Sequence, residues 1–98
     1  MYAQVSVWPL NEAGDSPANA TARQVAERLS AQPGFQSYLL IRTGESEVVA
    51  VTIFDSEPQL EAALAKLSDV MERRIRPLSA GEPMRWRGDV LFNTTADG

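Results

Sequence analysis

The chain offers few side chains for acid–base or nucleophilic chemistry. It contains no histidine and no cysteine. The usual neutral-pH general base, the thiolate metal ligand, the cysteine nucleophile and the disulfide are therefore excluded. The remaining chemically useful groups are mostly aromatic or hydroxylic. Phe35 and Phe54 can stack on a flat ligand or pack an interface between copies. Trp8 and Trp86 can turn an indole N–H into a pocket, or simply fill space. Ser37 and Thr52 can hold a ligand oxygen, or pack against each other across a strand pair. The candidate ligand-binding set is Trp8, Ser37, Leu39, Thr52, Phe54 and Trp86. No catalytic residue, metal ligand or cofactor is assigned.

Charge adds little to this set. Arg73, Arg74 and Arg76, with Arg85 and Arg87, are the one basic concentration. They read as an acidic-partner site or as cations at a helix C-terminus and along strand edges. Glu57, Glu61, Asp69 and Glu72 fall on the polar side of a helix. Arg42 and Glu47 read as a cross-strand pair beside a turn. The net charge of −4 argues against nucleic-acid binding. No phosphate-binding loop, dinucleotide fingerprint, zinc pattern or catalytic triad is present. Asn19-Ala20-Thr21 and Asn93-Thr94-Thr95 match the glycosylation acceptor, but without a secretory signal they are chance matches.

The elements that must position these residues follow from periodicity. Residues 2–10 alternate as a strand, which Pro9 ends or confines to an edge. A helix spans 17–31, capped by Asp15 or Ser16 with Pro17 in its first turn, and "QPG" stops it. Its apolar face carries Ala18, Ala22, Val25, Ala26 and Leu29. Strands at 35–42 and 47–54 flank a tight turn with Gly44-Glu45 at its centre. This register sets Phe35 opposite Phe54, Leu40 opposite Val49 and Arg42 opposite Glu47. Ser56 caps a second helix, with Gln59 completing a capping box. Its stripe is Leu60, Ala63, Leu64, Leu67, Val70, Met71 and Ile75, and it ends before Pro77. A last strand covers 84–92, and a polar tail covers 93–98.

The order β-α-β-β-α-β predicts a single α+β, ferredoxin-like domain over 1–92 with a four-stranded antiparallel sheet. Length supports one domain, since 98 residues bury a modest core. The 44% hydrophobic composition is that of a globular protein, and no apolar run is long enough to span a membrane. No signal peptide is expected, and a cytoplasmic location fits the missing cysteines.

Both faces of the central hairpin are apolar. In the register above, Tyr38, Leu40, Val49, Val51 and Ile53 lie under the helices. Phe35, Ser37, Leu39, Ile41, Val48, Ala50, Thr52 and Phe54 lie on the opposite face. A half-solvated sheet would be polar there. An identical sheet from a second copy is the economical cover, and the small residues Ser37, Ala50 and Thr52 predict a hollow interior.

"MYAQVSVW", "PGFQSYLLIR", "VVAVTIFDSEPQLEAAL" and "RGDVLF" resemble the antibiotic biosynthesis monooxygenase-like domains of the dimeric α/β-barrel superfamily. The resemblance covers about residues 1 to 92, and its diagnostic pieces are "PGF" and the aromatic–x–Ser–Glu junction at Phe54. It implies a homodimeric α/β barrel, with a pocket between sheet and helices or within the barrel. Some members are cofactor-independent monooxygenases of polycyclic aromatics, and others cleave haem. Catalytic members carry Asn on strand one and Trp at the end of strand three, and haem-cleaving ones add His on helix two. Here the Trp position falls on Phe54 and the Asn position near Ser6 or Val7, with Trp8 and Asn11 close by.

Three functions follow as expectations. The first is a homodimeric domain of this kind that binds a small apolar or aromatic molecule, or is a structural dimer. The second is a cofactor-independent monooxygenase acting on an electron-rich polycyclic aromatic. The third is an interaction module using the arginine cluster. Whether the chain is an enzyme stays open at this level.

Overall fold

The computed structural model describes residues 1–10, 15–76 and 79–94, with backbone only at 15–19 and 74. The expected caps Asp15 and Ser16, the stripe residue Ala18, and Asn11 and Pro77 fall outside the described side chains.

Strands β1 (Tyr2–Pro9), β2 (Phe35–Gly44), β3 (Glu47–Phe54) and β4 (Met84–Asp89) form one antiparallel sheet in the order β2-β3-β1-β4. Helix α1 (Asp15–Ser30) joins β1 to β2. α2 (Glu57–Lys66), α3 (Ser68–Val70) and a π-helical turn, Met71–Ile75, lead towards β4. This is the α+β, ferredoxin-like arrangement that the element order predicts. Pro9 ends β1, but β1 is central in the sheet and not an edge.

The junctions have simple causes. The Gln32 N–H donates to the Leu29 carbonyl, and Gly34 turns the chain with φ 84°. A side chain is strained at such a φ. A Cβ on Gly34 would also run into the Gln59 side-chain amide. Ser56 caps α2 by accepting from the Gln59 N–H at 3.4 Å, and its hydroxyl contacts Gln59 Oε1 at 3.0 Å. Leu29, Phe54 and Leu60 are the fully buried centre of the core, with Val25, Ala63, Leu67 and Val70 around them.

The hairpin departs from the expected register, and this changes both faces. Phe35 is opposite Phe54, as predicted, and the rings meet edge to face at 5.7 Å. β2 then takes up an extra residue between Phe35 and Ser37 and another between Arg42 and Gly44. Between these bulges Leu40 is opposite Ala50, and Arg42 is opposite Val48 in place of Glu47. The turn therefore centres on Glu45-Ser46. Gly34 is the only described residue with positive φ, so the Gly-first turn is absent too.

The slip exchanges the faces of β3 and, ahead of the first bulge, sets Phe35 on the helix side against the core instead of on the outer face, while β2 from Ser37 onward keeps its own. Val48, Ala50, Thr52 and Phe54 are buried under the helices. Val49, Val51 and Ile53 share the outer face with Ser37, Leu39 and Ile41. Ser37 and Thr52 consequently lie on opposite faces, and Phe54 is a core residue.

Two further expectations are corrected. The second helix is interrupted at Leu67, and the Arg76 N–H bonds to the Met71 carbonyl five residues back. The last strand ends at Asp89, leaving Leu91 and Phe92 exposed.

Candidate functional site

The site is built on the helix-facing side of β1. Gln4, Ser6 and Trp8 alternate along that strand and point towards the helices. The apolar alternates Ala3, Val5 and Val7 occupy the outer face. This inverts the pattern of a half-solvated strand, where polar residues face water. Gln4 and Ser6 are buried, at 7% and 4% exposure.

Small side chains in the middle of the sheet leave room beneath the helices. Ser6, Ala50 and Thr52 form the floor of a cavity of about 80 Å³, with Tyr38, Leu40 and Gln4 around them. Val25 and Leu29 of α1, with Leu64, Leu67 and Met71, form an apolar roof. The π-helical turn supplies Met71 and Ile75 to this roof. Such turns recur where a helix bends to serve a site. A wider cleft of about 560 Å³ adjoins at Trp8, Met71 and Ser79 and reaches Arg76, Glu82 and Arg85.

The floor holds a polar row that crosses all four strands. Tyr38 is opposite Thr52, Thr52 opposite Gln4, and Gln4 opposite Arg87. Arg87 Nε donates to Gln4 Oε1 at 2.7 Å, and Arg87 Nη1 lies 3.5 Å from Glu61 Oε1. In the neighbouring row, Trp8 Nε1 donates to Ser6 Oγ at 2.9 Å. The Arg85 guanidinium stands 5.5 Å from the Trp8 ring centroid, a cation–π distance. Burial pushes the Tyr38 hydroxyl above its ordinary 10.0, because the phenolate would lose hydration. Tyr38 is therefore neutral at physiological pH.

Among the described residues, the cavity lining contains no carboxylate, lysine or arginine. Its polar atoms are hydroxyls, one indole N–H and one amide. Such a lining holds a carbonyl or hydroxyl oxygen on an otherwise apolar ring. It supplies hydrogen-bond donors to a developing oxyanion but no ionised base.

The candidate ligand set divides accordingly. Trp8 and Thr52 line the cavity. Phe54 is fully buried beside it, packed on Phe35. Ser37 and Leu39 lie on the outer sheet face, as does Trp86, which pairs with Val5 and is 52% exposed. The basic concentration is dispersed. Arg76 bonds Glu72 at 2.9 Å, whereas Arg85 and Arg87 turn to the helix side of β4. Sequence reasoning missed Gln4 and Tyr38 as lining residues. The alternation in "YAQVSVW" carried the signal for Gln4, but only burial of both faces gives it its direction.

Neither the family models nor the curated proteins compared with the chain give a match. Solved structures do. A candidate antibiotic biosynthesis monooxygenase of Nitrosomonas europaea has 11% identity and a TM-score of 0.84, covering 96% of this chain and 93% of its own. SnoaB, a cofactor-independent oxygenase from Streptomyces nogalater, has 17% identity and a TM-score of 0.77, covering 94% of each chain. A variant of MhuD with two manganese protoporphyrin IX bound per active site has 15% identity and a TM-score of 0.76, covering 98% and 100%. The chain thus has the antibiotic biosynthesis monooxygenase-like fold. The cavity described above measures about 80 Å³, and its lining carries no histidine or cysteine.

Proposed function

We propose that the chain is a homodimeric monooxygenase-like domain that binds a small, largely apolar aromatic molecule between its helices and sheet. The observation that carries this reading is the cavity itself, with its apolar roof and its buried floor of Gln4, Ser6 and Thr52. A volume of about 80 Å³ suits part of one ring. An apolar cavity of about 150 Å³ takes a whole benzene, so a bound ring would extend towards the open side. Titration with ethylbenzene, followed by NMR, tests the reading. Resonances of Ala22, Leu40, Ala50 and Thr52 are expected to shift. Shifts confined to outer-face residues such as Leu39 and Trp86 would sink it.

The dimer rests on the outer sheet face. Leu39 is 52% exposed, Ile41 46%, Met84 60% and Trp86 52%, and they adjoin Val5, Val7, Val49 and Val51. Single chains rarely leave an apolar sheet face of several hundred Å² bare, and a second copy offers the same surface in return. Sedimentation at micromolar concentration is expected to show a dimer, and Leu39→Lys a monomer. A wild-type monomer would refute this part. The reading includes a cytoplasmic location, in keeping with a chain that forms no disulfide.

The second reading is a cofactor-independent monooxygenase whose aromatic substrate activates oxygen itself. The donor-rich floor favours it, because Ser6, Thr52, Tyr38 and Gln4 can stabilise an oxyanion formed on the ring. The substrate would have to ionise without help from a side-chain carboxylate. Oxygen consumption with phenols and quinols as substrates separates this enzyme from a binding domain. Uptake abolished by Gln4→Leu supports it, and no uptake with any of them removes it.

A further inference from the structure

The row ending in Arg87 does more than close the edge of the cavity floor. The two ends of the Gln4 side-chain amide are chemically opposite, one an acceptor and one a double donor. A neighbour that can only donate decides which end it meets. The Arg87 guanidinium has no acceptor and stays protonated, so the Gln4 atom 2.7 Å from its Nε must be the carbonyl oxygen. Glu61, 3.5 Å from Arg87 Nη1, braces the guanidinium from the side of α2.

With its oxygen turned to Arg87, the other end of the Gln4 amide carries only N–H groups. Gln4 is 93% buried and lines the cavity, and among the described residues its N–H groups donate to no protein acceptor. The hydroxyls of Ser6, Thr52 and Tyr38 likewise donate to no described acceptor, and Ser6 Oγ already accepts from Trp8. All four residues line the cavity, and among the described residues no fully buried polar side-chain atom is left without a partner.

We propose that Arg87 is a positioning residue that locks the Gln4 amide with its N–H groups towards the cavity, making the site selective for ligands that present a carbonyl-type acceptor. This rests on the binding reading above and names the ligand class for that cavity: a small aromatic ketone, aldehyde or similar carbonyl compound. Without Arg87 the amide rotates freely by half a turn and serves acceptors and donors alike.

The test uses two planar probes of nearly equal shape, acetophenone and α-methylstyrene, which differ in carrying C=O or C=CH₂. The wild-type chain binds acetophenone about tenfold more tightly, the worth of one well-formed hydrogen bond. Arg87→Met brings the two affinities within about twofold by weakening acetophenone alone, and Arg87→Lys, which can still donate to Gln4 Oε1, restores the preference. A merely structural role for Arg87 would weaken both probes equally. Absence of a preference in the wild type, or its persistence in Arg87→Met, overturns the inference while leaving the binding reading intact. Failure of both probes to bind the wild type overturns the two together. Should Arg87→Met not fold, Glu61→Ala retains the arginine and removes its brace. The preference then falls by at least half, and an unchanged ratio overturns the inference.

Discussion

Trp8 Nε1 donates to Ser6 Oγ at 2.9 Å, two residues back along the same face of β1. The bond fixes the indole where the inner cavity meets the outer cleft, since Trp8 lines both. It also occupies an acceptor site on a hydroxyl that is only 4% exposed.

Trp8→Phe removes that donor and weakens the contact with Arg85. The expected loss is about 1–2 kcal/mol, from one hydrogen bond and part of a cation–π contact. Urea unfolding measures it. A double-mutant cycle with Ser6→Ala should give a coupling of about 1 kcal/mol. A coupling near zero would mean the bond contributes nothing.

Phe54→Ala tests the correction to the hairpin faces. Phe54 is fully buried and packs edge to face on Phe35 at 5.7 Å. Truncation should cost about 3–5 kcal/mol, as for large aromatics in cores. A loss below about 1 kcal/mol would place Phe54 at a pocket wall.

Gly34→Ala combines two penalties. The backbone stands at φ 84°, and the new Cβ meets the Gln59 amide. The expected cost is about 1–3 kcal/mol. Gln59→Ala in the same chain should relieve the steric share and leave roughly 1 kcal/mol of backbone strain. Equal costs with and without Gln59 would show that the side chain moves aside freely.

Stability should fall at alkaline pH through Tyr38. Burial raises its folded-state value above the unfolded 10.0. Below pH 10 both states hold the proton and the term is flat. As pH rises past 10 the unfolded chain loses its proton first, so stability drops until the folded hydroxyl also ionises. Tyr38→Phe should flatten the decline above pH 10, measured by urea unfolding. An identical slope in the variant would remove Tyr38 as the cause.

Much of the architecture was legible because local signals agreed. The alternation of β1, the Gly34 stop, the Ser56 cap and the stripe from Leu60 to Ile75 point to one element order, and that order permits few folds. The surplus of apolar residues on the hairpin also announced that both sheet faces need cover. The Phe35–Phe54 pair was readable too, because it anchors the end of the hairpin before the first bulge.

The chain Val48-Val49-Ala50-Val51-Thr52-Ile53-Phe54 is apolar or small at every position, so periodicity cannot say which alternates turn inward. Tertiary packing decided it. Two single-residue bulges in β2 let Phe35 meet Phe54 while Leu40 meets Ala50, and they turn Ala50 and Thr52 beneath the helices. The hollow follows those small side chains, so it opens under the helices and away from the outer face. The direction of the Gln4 amide was likewise beyond sequence, because it depends on Arg87 arriving from a strand 83 residues away. Composition and pattern determined the elements and the need for cover. Register and long-range contact determined which residues meet in the cavity.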